Sequence, residues 1–250
     1  MRRLLAALLV FFASAAAAQG ALVAAAANVK FALDDIVAAF GRDTGHTVRV
    51  SYGATGTLAQ QIQNGAPFEL FVAADEASIE RLAAAGYTRD RGAVYAVGRL
   101  ALFVPRGSTL AVDATLADLK AALADDRLKR FAIASPEHAP YGRAAQQVME
   151  RAGVWDTVRP RLVLGESVAQ AMQFAAGGDA QGGLVPLALA SAPALRTRGS
   201  YVAIPDAMHA PLRQRMALMK RAGAAAIAFE AYLRGPMARE ILVRHGYAVP

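Results

Sequence analysis

The chain has 250 residues, 55% of them hydrophobic and only 19% charged, which supplies one large or two modest cores at roughly 150 residues per domain and excludes a disordered polypeptide. Cysteine is absent, so disulfides, thiol nucleophiles, iron–sulfur clusters and thiolate zinc sites are all removed. The formal charge is +7, or +5 without Arg2 and Arg3, and the other cations are scattered singly. That balance reads as a solvated basic surface with no nucleic-acid footprint.

The chain opens on Arg2 and Arg3, an apolar run from Leu4 to Phe12 and a small-residue stretch from Ala13 to Ala18 that offers A-x-A cleavage sites. This is the anatomy of a secretory signal peptide over residues 1–20, cut near Ala17 to Gly20. Gln19 and Gly20 interrupt the apolar run before it resumes at Ala21, which argues against an uncleaved anchor. The mature product is expected to be an exported, soluble monomer.

Strands then alternate with helices. Ala21 to Ala27 is a continuous apolar run, expected of a strand buried on both faces, and Val29, Leu33, Ile36, Val37 and Phe40 follow at helical spacing. His46 to Tyr52 alternates as a strand, Leu58 to Ile62 is a short helix, Glu69 to Ala74 a buried strand, and Glu76 to Ala85 a helix ended by Gly86. Arg99 to Val104 is a further strand, broken at Pro105 to Gly107; a second unit then has strands at Arg130 to Ala134, Arg161 to Leu164 and Gly183 to Pro186, and Tyr201 to Ile204 is again strand-like. Its helices are Leu116 to Leu123, Arg143 to Ala152 and Val168 to Ala176, and two more, Ala222 to Leu233 and Gly235 to Arg244, close the chain. The pattern predicts an α/β protein with mostly parallel sheets. Two lobes, residues 21–103 with 200–250 and residues 104–199, are joined by crossings near Arg99 to Val104 and Tyr201 to Ile204.

No catalytic constellation emerges. His46, His138, His209 and His245 are isolated, nucleophile-elbow, Walker and dinucleotide-binding loops are missing, and the paired carboxylates Asp34-Asp35, Asp75-Glu76 and Asp125-Asp126 suggest solvated faces. What recurs is a small polar turn before a helix: at Asn28, at Ala54-Thr55-Gly56, at Pro140-Tyr141-Gly142 and at Glu166-Ser167-Val168. A helix start carries unsatisfied N–H donors and a partial positive charge of about +0.5, which suits an anion. Two turns come from each lobe. Ligands of open α/β sheets lie beyond the carboxyl ends of the strands, so facing lobes would bring all four to one cleft.

These residues carry a resemblance. Ala26-Ala27-Asn28, the stretch from Ser51 to Asp75, Ser135 to Val148, Gly165 to Ala171 and Leu233 to Pro250 together resemble the periplasmic molybdate-binding proteins of ABC importers, in the same order and over essentially the whole mature chain. The resemblance implies a type II periplasmic binding protein fold, a periplasmic location, molybdate or tungstate as ligand, no cofactor, no enzymatic activity and a membrane permease as partner. Molybdenum enters only as the bound oxyanion. Carried over by position, the ligand-binding residues are Asn28 and Thr55 as amide and hydroxyl donors, Tyr141 and Val168 as main-chain N–H donors, and Ala27 as a further backbone contributor. Pro186 stands where many members of the family have a ligating tyrosine, and Arg143 and Lys30 lie close to the turns in sequence. Two other readings stand beside this one: the same fold for another oxyanion such as sulfate or for a small organic anion, and an exported enzyme.

Overall fold

A computed structural model of the chain describes residues 20–250, so the expected signal peptide lies, except for Gly20, outside the described residues. In chain order the elements are β1 (Ala21–Ala26), α1 (Lys30–Thr44), β2 (Val48–Gly53), α2 (Thr55–Gln63), β3 (Leu70–Val72), α3 (Glu76–Ala84), β4 (Ala93–Gly98) and β5 (Leu100–Pro105). Next come α4 (Ala117–Ala124), β6 (Phe131–Ala134), α5 (Pro140–Arg151), α6 (Trp155–Val158), β7 (Leu162–Gly165), α7 (Val168–Gly177), β8 (Gly183–Pro186), α8 (Leu187–Ala190), β9 (Gly199–Ala203), β10 (Leu212–Leu218), α9 (Ala224–Leu233) and α10 (Pro236–Arg244). A 3-10 turn, Ala27–Val29, leads from β1 into α1.

The strands form two five-stranded sheets, β2-β1-β3-β10-β4 and β7-β6-β8-β5-β9. Each is mixed. In the first, β1 runs parallel to β2 and β3 while β10 is antiparallel to β3 and β4. In the second, β6 is parallel to β7 and β8 while β5 is antiparallel to β8 and β9. The two sheets share one plan, in which the strand next to an edge is supplied by the segment arriving from the other lobe.

That plan corrects the expected boundaries. Leu100–Pro105 and Gly199–Ala203 belong to the second sheet, so the chain changes lobes at Arg99 and between β9 and β10, and residues 100–103 and 200–203 move from the first lobe to the second. Two strands have no counterpart in the expected pattern: β4, and β10, whose sequence LRQRMAL hides its alternation behind two arginines although Leu212, Gln214 and Met216 face inward.

The alanine-rich β1 is buried along nearly its whole length because helices cover both of its faces: Ala24 packs against Leu58, Ile62 and Phe71, and Ala25 against the cluster of Leu33, Ile36 and Phe40. Small side chains let the covering helices approach closely. Phe40, 1% exposed, meets Phe229 edge-on at 5.0 Å and Tyr232 at 5.4 Å, joining α1 to α9. Removal of this ring is expected to destabilise the protein by about 3–5 kcal/mol. Urea denaturation of Phe40→Ala, with the slope of the transition unchanged, checks it.

Candidate functional site

The carboxyl ends of the parallel strands of both sheets converge on one tight cavity of about 10 Å³. Asn28 follows β1, Thr55 follows β2, Tyr141 follows β6 and Val168 follows β7, and all of them line it, together with Ala27. Its walls are otherwise Ala26, Gly53, Ala54, Ala74, Ala139 and Pro140. Among the described residues no charged side chain lines it. Pockets for drug-sized organic molecules run to roughly 300–1,000 Å³, so this cavity excludes such ligands.

The polar turns prove to be the first helical turns themselves. Thr55 is the first residue of α2, Tyr141 the second of α5 after Pro140, and Val168 the first of α7, whose preceding Ser167 caps Gln170 N–H. N–H groups in these positions have no intrahelical acceptor, so they remain as donors. Pro140 suits the first turn because it lacks the N–H that would be orphaned there. Thr55 is 1% exposed, and its Oγ1 accepts from Ala74 N–H at 3.1 Å, which leaves the hydroxyl proton for a guest.

Asn28 lines the cavity, and its Nδ2, the expected donor, donates to Gln214 Oε1 and to Tyr247 Oη, each at 3.0 Å, while its Oδ1 is buried with no partner among the described residues. The phenol of Tyr141 also has a place that the sequence did not reveal. It crosses from the second lobe into the first, where its Oη accepts from Gln214 Nε2 at 3.0 Å. Gly98 makes the seat possible, because a Cβ there would lie 1.9 Å from that oxygen. Tyr95 donates to Gln214 Oε1 at 2.7 Å and Tyr247 to the Asn28 carbonyl at 2.8 Å. Burial drives the hydroxyls of Tyr141, Tyr95 and Tyr247 well above their ordinary range, so all three stay neutral.

Gln214, which sequence reasoning missed, is the hub of this cluster. Its neighbours Arg213 and Arg215 turn outward to Glu76 at 2.7 and 2.5 Å, fixing β10 against the start of α3. Burial works to raise the Glu76 carboxyl, but the hydrogen bonds from Arg215 and Arg213 outweigh it and hold that group below the usual carboxylate range. A glutamine flanked by outward charges in an alternating strand was the available signal.

The cations near the turns face elsewhere. Arg143 pairs with Asp75 across the lobes at 2.7 Å, and Lys30 pairs with Asp34 at 2.8 Å over the Tyr52 ring. Neither lines the cavity, and neither does Pro186, which ends β8 opposite Leu100. The lobes also meet where Gly56 N–H donates to His138 O at 2.9 Å. Among the described residues no group of His, Asp or Glu is arranged to hold a metal ion, and no helix is long and apolar enough to cross a membrane.

A methyl group at Gly98 is expected to evict the Tyr141 phenol and loosen lobe closure. Small-angle scattering should show a larger radius for Gly98→Ala than for the wild type, with unchanged circular dichroism.

Comparison with known proteins places this geometry in context. The model of a family described as bacterial extracellular solute-binding protein matches residues 21–248. The molybdate-binding protein ModA of Azotobacter vinelandii is 40% identical over 230 residues, covering 91% of this chain and 89% of its own. That of Rhodobacter capsulatus is 37% identical over 229 residues, covering 90% of this chain and 87% of its own. The solved periplasmic molybdate-binding protein of Azotobacter vinelandii superposes with a TM-score of 0.81 at 32% identity, covering 92% of this chain and 99% of that one.

Proposed function

Because the chain belongs to the bacterial extracellular solute-binding protein family, we propose that it captures molybdate, or tungstate, between its lobes in the periplasm and delivers it to the membrane permease of an ABC importer. The observation that carries the proposal is the small cavity, without a charged side chain among the described residues, into which the helix starts at Thr55, Tyr141 and Val168 converge from two lobes. The names of the relatives, molybdate-binding proteins covered over about nine-tenths of this chain, support the choice of ion.

The chemistry follows from the donors. Ala27, Asn28, Thr55, Tyr141 and Val168 are the proposed ligand-binding residues. A fully ionised tetrahedral dianion offers only acceptors, and neutral N–H and O–H donors hold it by charge-assisted hydrogen bonds without a compensating cation. A protonated oxyanion brings a donor of its own to face another donor, which costs the contact. Cavity size then separates molybdate and tungstate from the smaller sulfate. Because the donors come from both lobes, the bound ion favours the closed arrangement over an open one.

The decisive experiment is calorimetric titration of the mature protein with molybdate, tungstate, sulfate and phosphate. Molybdate or tungstate should bind more tightly than sulfate, and phosphate should bind least. A clear preference for phosphate overturns the reading.

Thr55→Val keeps the shape and removes the hydroxyl donor, an expected loss of about 1.5–3 kcal/mol for a hydrogen bond to a charged group, or roughly tenfold to over a hundredfold in affinity. Thr55→Ser, which keeps the hydroxyl, should restore most of it in the same titration.

A further inference from the structure

We infer that Gln214 is a positioning residue for anion capture, setting which end of the Asn28 carboxamide faces the cavity. The inference rests on the oxyanion reading above. Gln214 is fully buried, and β10 is anchored on either side of it by the pairs from Arg213 and Arg215 to Glu76. In the observed arrangement its Oε1 takes the Tyr95 proton and one from Asn28 Nδ2, and its Nε2 donates to Tyr141 Oη. Asn28 Nδ2 is thereby turned into the cluster, and Asn28 Oδ1 is left as a buried acceptor without a partner in a residue that lines the cavity. An acceptor there repels an oxyanion.

A carboxamide keeps its shape when its plane turns by half a revolution, and only its donor and acceptor ends exchange. If Asn28 and Gln214 turn together, the side-chain contacts between them and with Tyr95 and Tyr141 survive with the roles reversed. Gln214 Nε2 then donates to Asn28 Oδ1 and to Tyr95 Oη, while Tyr95 sends its own proton to the Ala73 carbonyl, already 3.2 Å away. Gln214 Oε1 accepts the Tyr141 proton, and the Tyr247 proton is shared between the carbonyl and the Oδ1 of Asn28. Asn28 Nδ2 takes the place of the orphaned oxygen and offers its protons to the anion. Turning either amide alone sets two oxygens or two nitrogens against each other across the same 3.0 Å contact. The two rotations are therefore one event.

Tyr141 serves both states, because its hydroxyl accepts from Gln214 Nε2 as observed and can donate to Gln214 Oε1 after the reversal. The contact between the lobes therefore survives either way, and the anion, which needs a donor facing it, selects the reversed state.

A double-mutant cycle on the mature protein tests this, with molybdate affinity measured for wild type, Asn28→Ala, Gln214→Leu and the double variant. Each single variant should weaken binding by about tenfold or more. The double variant should be within about threefold of the weaker single one, because Gln214 acts through Asn28. Independent losses that multiply overturn the inference, as does an unaffected Gln214→Leu, while tight wild-type binding leaves the ligand reading intact. Failure of the wild type to bind molybdate or tungstate removes both. If Gln214→Leu does not fold, nitrogen-labelled wild type decides the question by nuclear magnetic resonance: the Asn28 side-chain NH₂ pair should lose its proximity to the Tyr247 ring on molybdate addition, and an unchanged pair overturns the inference.

Discussion

The seating of the Tyr141 phenol in the first lobe is the contact on which the rest of the site depends. It is 2% exposed, held by Gln214 and admitted by the missing side chain of Gly98, so it fixes the start of α5, and with it the Tyr141 N–H, relative to Thr55 and Asn28. The other links between lobes are weaker as anchors. Arg143 and Asp75 form an ion pair whose arginine is half exposed, worth about 0–1 kcal/mol and weakened by salt. Fit and a buried hydrogen bond, more than charge, bring the lobes into register.

The same economy governs the cavity. Arg143 and Lys30 both sit beside a cavity-lining turn in sequence, yet each is neutralised by a carboxylate and turned away. Uncharged donors of fixed direction discriminate by protonation state and size, whereas a lysine or arginine in the wall would attract any anion. The helix starts supply direction and partial charge together. The Asn28 amide in the wall lies at the end of a chain of hydrogen bonds from both lobes.

Much of this was legible in the sequence because local rules fix it. The apolar run before Asn28, the Pro140-Tyr141-Gly142 turn and Ser167 before Val168 mark strand ends and helix starts, and strand ends of two α/β lobes have few places to converge. What escaped depended on side-chain direction and long-range pairing. Whether Tyr141 aims its ring or its N–H at the cavity is decided by Gly98, more than forty residues away, and the orientation of Asn28 by Gln214 and Tyr247, which lie 186 and 219 residues further along. The strand that holds Gln214 was missed because Arg213 and Arg215 answer to Glu76 on another element. The crossings were displaced by a few residues for a related reason: β5 and β9 are ordinary apolar strands, and their sheet membership is set by pairing with each other and with β8.

The exchange of strands between lobes ties the first sheet to a late part of the chain. The second sheet is drawn wholly from residues 100–203, a single run of chain, whereas the first lacks β10, which binds β4 to β3, until residue 218 is available. Contacts closing such long loops form slowly. Without β10, β3 would present an unpaired apolar edge, the kind of surface that invites pairing with another chain. Docking of β10 ends that exposure and in the same step delivers Gln214 to Asn28. Shielding of the edge and completion of the recognition site thus rest on the same strand, so whatever frees β10 exposes the edge and strips the site of Gln214 together.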